Sequence, residues 1–140
     1  MITLEGVTKS YNPKGQPALN NISLHINKGE FVFIVGNSGS GKSTLIKLLL
    51  KELEATSGKI MVNGYEVNKL RRRKIPKFRR GIGCVFQDFR LLPDRNVYEN
   101  VAFAQRVIER PTRVIKKRVP EILTLVGLAA KYKSLPDELS

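Results

Sequence analysis

Apolar residues recur along this chain with two different periods, and in two places with none. Ile2 to Tyr11 alternates imperfectly between apolar and polar positions, and Asn12-Pro13-Lys14-Gly15 supplies a turn. Residues 18–26 then put Ile22, Leu24 and Ile26 on one side of a second strand, before a turn at Asn27-Lys28-Gly29-Glu30. Phe31-Val32-Phe33-Ile34-Val35 and Ile82-Gly83-Cys84-Val85-Phe86 are apolar without alternation, which predicts strands buried on both faces. Thr44 to Leu50 reads as a helix ending near Lys51–Glu54, broken by Thr56-Ser57-Gly58. Lys59 to Val62 is a short strand entering the tight turn Asn63-Gly64. Residues 71–80 form a basic linker or short helix, and Gln87 to Arg95 a loop.

Further on, the period becomes helical. Asn96 is placed to cap a helix from Val97 to about Ile108. Pro111-Thr112 opens another, with Val114, Ile115, Ile122, Leu123 and Val126 on its apolar side and Gly127 as its C-terminal cap. Pro120 falls inside that pattern and predicts a kink or a division near Lys116, because it lacks the N–H that the helix needs. No internal repeat, low-complexity tract or interdomain linker interrupts the series.

The segment joining the first apolar run to the first helix carries the most chemistry. Gly36-Asn37-Ser38-Gly39-Ser40-Gly41-Lys42-Ser43 is a complete G-x-x-x-x-G-K-S sequence, followed by Thr44. Between a strand and a helix this pattern predicts a phosphate-binding loop. Its glycines let successive N–H groups turn inward around a di- or triphosphate, and the helix N-terminus adds its positive dipole. Lys42 is placed to reach the β and γ phosphates, and the Ser43 hydroxyl to ligate Mg²⁺.

Composition narrows the rest. A chain of 140 residues suits one domain rather than two. No apolar run approaches the roughly 18–20 residues that cross a bilayer. Met1-Ile2-Thr3-Leu4-Glu5 lacks the basic flank and apolar core of a signal peptide, so the expected location is cytoplasmic. The single cysteine, Cys84, excludes an internal disulfide and is expected to be buried and inert. His25 is the only histidine and should lie at the surface, which leaves no His/Cys zinc site. The net charge of +13 owes much to Arg71-Arg72-Arg73-Lys74-Ile75-Pro76-Lys77-Phe78-Arg79-Arg80, either a solvated basic face or a contact surface.

Several blocks then fall into one pattern. Tyr11 precedes the phosphate loop; Leu19-Asn20-Asn21-Ile22-Ser23-Leu24 and Lys28-Gly29-Glu30 lead into it. Thr56-Ser57-Gly58-Lys59-Ile60, Asn63-Gly64 and Val85-Phe86-Gln87-Asp88 follow. Together they resemble the ATP-binding-cassette (ABC) ATPases over the whole chain. The resemblance implies an α/β fold: a RecA-like P-loop core with an antiparallel β subdomain, incomplete at its C-terminal side. Residues 1–140 would be the N-terminal portion of one nucleotide-binding domain: adenine loop, phosphate loop, Q-loop and the start of the helical subdomain. It implies ATP and Mg²⁺ as cofactors, with Tyr11 stacking on adenine and the phosphates held by Gly36, Asn37, Ser38, Gly39, Ser40, Gly41, Lys42, Ser43 and Thr44. Lys42 and Gln87 would be the catalytic residues; Gln87, with Ser43, would also serve the metal or orient the attacking water.

Within the family, Tyr65 to Leu70, the basic run, Asp88-Phe89-Arg90-Leu91-Leu92 and Asn96-Val97-Tyr98-Glu99-Asn100-Val101-Ala102 resemble a cell-division branch. Lipoprotein-release, macrolide-export and amino-acid transport ATPases share parts of the pattern. The branch implies an integral membrane partner, a homodimer of nucleotide-binding domains, a place on the inner face of the cell membrane and control of cell-wall hydrolysis. No nucleic acid is expected, since the interval after the phosphate loop has neither heptads nor cysteine clusters. In the family, Leu139-Ser140 opens the signature sequence, so a longer protein is expected, with its catalytic base beyond Ser140. A P-loop kinase of small metabolites would leave Tyr11, Gln87 and the terminal Leu-Ser as coincidences.

Overall fold

The computed structural model describes residues 1–139, so the Ser140 half of the Leu-Ser reading lies outside them. The chain forms two compact units, Met1–Ile82 and Gly83–Ser140.

The first unit is a four-stranded antiparallel sheet, β2-β1-β3-β4, with one helix packed on it. β1 (Ile2–Lys9) and β2 (Leu19–Ile26) pair with Leu4 opposite Leu24 and Val7 opposite Ile22, with a register shift between the two pairs. β3 (Ser57–Val62) lies on the other side of β1, Ile60 opposite Leu4. Gly58 is needed there, because a Cβ would stand 2.4 Å from the Gly6 carbonyl oxygen. Asn63 and Gly64 both take left-handed φ values, 48° and 82°, so a two-residue turn returns the chain into β4 (Tyr65–Glu66). α1 (Lys42–Leu49) buries Leu45 and Leu48 against Leu4, Val7, Ile60, Val62 and Phe78, the last carried by α2 (Ile75–Arg79).

Neither continuous apolar run is a strand. Phe31, Phe33 and Val35 are exposed, at 84%, 78% and 86%, and Val85 at 92%. A strand needs a neighbour's N–H and C=O groups, and these runs have none among the described residues. Residues 31–35 therefore lie with their side chains uncovered. Cys84 is exposed as well, which corrects the expectation of a buried thiol: the strand that would have buried it does not form. His25 is at the surface.

In the second unit α3 (Val97–Val107) and α4 (Thr112–Leu125) pack through Val97, Ala102, Ile115, Val119 and Leu123. The Asn96 side chain accepts the Glu99 N–H at 2.9 Å, the expected cap. α4 is not divided at Pro120. Ile115, Val119 and Leu123 are buried at i, i+4 and i+8, so the apolar stripe clamps both sides of the proline, while Val114 and Val126 are exposed. Gly127, at φ 73°, closes α4: its N–H donates to Thr124 O at 3.1 Å and the Leu128 N–H to Leu123 O at 2.8 Å.

Candidate phosphate-binding site

The loop before α1 is shaped by two close approaches. Ser40 N–H donates to Asn37 O at 3.2 Å, turning the chain back on itself. Gly41, at φ 88°, then passes against the start of β2, where a Cβ would meet Ala18 O at 2.4 Å. Only glycine fits. α1 begins at the next residue with no side chain capping it, so its first N–H groups and their dipole face the loop.

Lys42 folds across the loop. Its ammonium donates to Gly36 O and Asn37 O, each at 2.7 Å, and to Ser40 Oγ at 3.3 Å. The loop thus positions one cation among oxygens at its centre. The Ser43 hydroxyl, one residue into α1, is exposed, and a hard oxygen donor of this kind suits Mg²⁺ shared with phosphate oxygens. Among the described residues no group of three His, Cys, Asp or Glu side chains could hold a metal by itself.

Tyr11 stands over the same cleft. Its hydroxyl shares a hydrogen bond of 3.0 Å with Thr44 Oγ1, and its ring is 63% exposed. Lys9 Nζ lies 5.4 Å from the ring centroid, a cation–π contact on a strand position two residues earlier. Tyr11, Ala18 and residues 38–44 line one opening of about 390 Å³. The structure therefore brings Tyr11 together with the phosphate-loop residues, and Gly36 and Asn37 join them through Lys42. Gln87 belongs to the second unit, exposed at the start of the 87–95 loop. Sequence reasoning missed Ala18 and Lys9. The period-2 spacing of Lys9 and Tyr11 was the available signal for the latter.

A protein-family model described as ABC transporter matches residues 19–140. The chain belongs to the ABC transporter family. It is 56% identical to the cell division ATP-binding protein FtsE of Mycobacterium tuberculosis and 51% identical to FtsE of Bacillus subtilis, in each case over the whole chain and 61% of the relative. It is 44% identical to the methionine import ATP-binding protein MetN 2 of Pectobacterium atrosepticum, over the whole chain and 42% of the relative. The chain thus spans about three fifths of the length of the FtsE proteins it matches. Among solved structures, the dimeric ATP-binding cassette MJ0796, bound to ADP and Pi after hydrolysis, superimposes with a TM-score of 0.87. That match has 35% identity and covers all of this chain and 63% of the other. The fold is that of an ABC ATPase cassette, with the antiparallel sheet as its β subdomain.

Proposed function

We propose that this chain is the nucleotide-binding portion of an FtsE-type ATPase, which in its full-length form binds and hydrolyses ATP to drive a membrane partner. One observation carries the reading: an exposed tyrosine ring and an uncapped, lysine-bearing phosphate loop share one cleft.

Adenine stacks on Tyr11, whose flat apolar face is available to a purine. The β and γ phosphates replace Gly36 O and Asn37 O as acceptors of the Lys42 ammonium, while the N–H groups of residues 39–44 surround them. The Ser43 hydroxyl would hold Mg²⁺, which would supply neutralisation of the phosphate charge. In the full-length protein Gln87 would serve the metal or the attacking water through its amide oxygen. No carboxylate lines the cleft, so this chain alone grips nucleotide without efficient turnover.

No helix among the described residues is long and apolar enough to cross a membrane. On the FtsE likeness and the dimeric cassette it resembles, the protein is proposed to sit on the inner face of the membrane beside the integral protein FtsX, as a homodimer, and to control cell-wall hydrolysis during division. The partner's docking surface is the 87–95 loop and the start of α3, where Phe89 and Leu91 are exposed and Leu92 and Tyr98 half-buried. The MetN likeness supports a second reading, the ATPase subunit of a transporter. Which integral membrane protein co-purifies with the full-length protein separates the two.

The nucleotide reading is tested by Lys42→Ala. Removing the charged donor should weaken ATP about 100-fold, from charge-assisted bonds of about 1.5–3 kcal/mol each, and leave the circular dichroism spectrum unchanged. Equal ATP affinity in variant and parent sinks the assignment.

A further inference from the structure

The segment around α2 holds more positive charge than the fold uses. Phe78 anchors it from beneath, 2% exposed and 5.6 Å from the Tyr65 ring in an edge-on contact. Arg79 is consumed by structure: its Nε donates to Leu50 O at 2.9 Å and its NH2 to Lys51 O at 3.1 Å, closing the C-terminal end of α1. Arg80 also has a partner within the fold. The side chains of Arg71, Arg72, Arg73, Lys74 and Lys77 are different. All are exposed, and none makes a hydrogen bond or ion pair with a described residue.

These like charges repel one another within a stretch of seven residues, and no described carboxylate forms an ion pair with them. The anchoring by Phe78 and Arg79 fixes the backbone that carries them, so little order is lost when they meet a surface. An opposing layer of negative charge would relieve the repulsion at several points at once. Arginine favours phosphate in particular, because its planar fork matches two oxygens.

We propose that Arg71, Arg72, Arg73, Lys74 and Lys77 form a docking face for the anionic phospholipid headgroups of a bilayer. Nucleic acid offers phosphates too, but a single strand is held chiefly by stacking on exposed aromatics. Beside this segment Phe78 is buried and Tyr65, the one exposed ring, packs edge-on against it, so no series of free rings accompanies the charges. Membership of a transporter family makes a membrane the anionic surface that best fits such a face. The inference does not depend on the nucleotide reading: the face lies outside the cleft of Tyr11 and residues 38–44.

The test uses the full-length protein without its integral membrane partner, sedimented with vesicles of phosphatidylcholine alone or mixed with phosphatidylglycerol. The parent should bind only the mixed vesicles, and less as salt rises. Changing Arg71→Gln, Arg72→Gln and Arg73→Gln together should weaken that binding on the order of 100-fold, since each cation near an anionic leaflet contributes roughly fivefold. Replacing the same three with lysine keeps the charge and loses only the forks, so binding should stay well above that of the glutamine variant. Arg113→Gln, Lys116→Gln and Lys117→Gln together remove the same charge from α4 and should leave binding within a few-fold of the parent. Unchanged ATP affinity certifies that each variant is folded. Equal losses from the two glutamine variants would mean that net charge alone acts, and would overturn the proposal. So would indifference to phosphatidylglycerol, or tighter binding of the parent to an oligonucleotide than to the mixed vesicles.

Discussion

Tyr11 uses the two ends of its side chain differently. The ring offers its face to the cleft, while the hydroxyl is fastened to Thr44 in the first turn of α1. A ring alone would make Tyr11→Phe neutral toward ATP. With the hydroxyl bonded, Tyr11→Phe should lose about 0.5–1.5 kcal/mol of binding, because the freed ring must be ordered when adenine arrives. Tyr11→Ala should lose about 1–3 kcal/mol, the range for base–aromatic stacking. Titration calorimetry with ATP and with tripolyphosphate checks both: the losses should appear for ATP and vanish for the ligand that has no base. Equal losses for the two ligands would make Tyr11 a support for the loop rather than a platform. Much of this cleft was legible from residue identity, because the glycine and lysine spacing shapes the loop ahead of α1 even though residues 31–35 form no strand before it. The Tyr11–Thr44 bond was not legible, since it joins residues 33 apart through a fold that no local pattern records.

Between residues and molecule stand the elements, and here Asn100 has the widest reach. From inside α3 its side-chain oxygen accepts the Leu92 N–H at 2.8 Å. Its amide donates to Leu92 O, Arg95 O and Asn96 O at 3.1, 2.7 and 3.1 Å. One side chain thus holds the last residues of the proposed docking loop. Asn100→Ala should destabilise the second unit by about 2 kcal/mol, several modest hydrogen bonds lost together, as read from urea unfolding of the full-length protein. Asn100→Asp keeps the acceptor and loses the donors, so an intermediate loss is expected. If the alanine variant is as stable as the parent, the loop holds itself. The elements legible in sequence were those whose stabilising partners lie nearby. α3 was marked by its own Asn96 cap, and the β3–β4 turn by Asn63-Gly64. Phe31–Val35 and Ile82–Phe86 misled because a buried strand is defined by flanking strands, and the described residues provide none. Pro120 misled in the other direction: burial of Val119 and Leu123 outweighs one missing N–H.

For the whole molecule, the useful distinction is between what each unit does alone and what needs the full-length protein. ATP binding by this chain should be retained without steady-state hydrolysis, followed by phosphate release. Turnover that disappears in Lys42→Ala would reveal a base within these residues. In the proposed reading, partner capture falls to the other unit. Leu92→Asp in the full-length protein should abolish co-purification of the membrane partner while ATP affinity stays unchanged. A folded Leu92→Asp protein that still captures its partner would move the docking surface elsewhere.

The bare run Phe31–Val35 has a consequence for how such a protein is made. The first unit draws its core entirely from residues 1–82, so it can assemble while later residues are still within the ribosome. Its sheet closes without residues 31–35, and these emerge early with two aromatic rings turned outward and no strand beside them. Flanked by the phosphate loop, a short apolar segment of high β-propensity is then on display. Such a segment offers a holdase chaperone a place to bind and gives two nascent chains on one messenger a place to stick together.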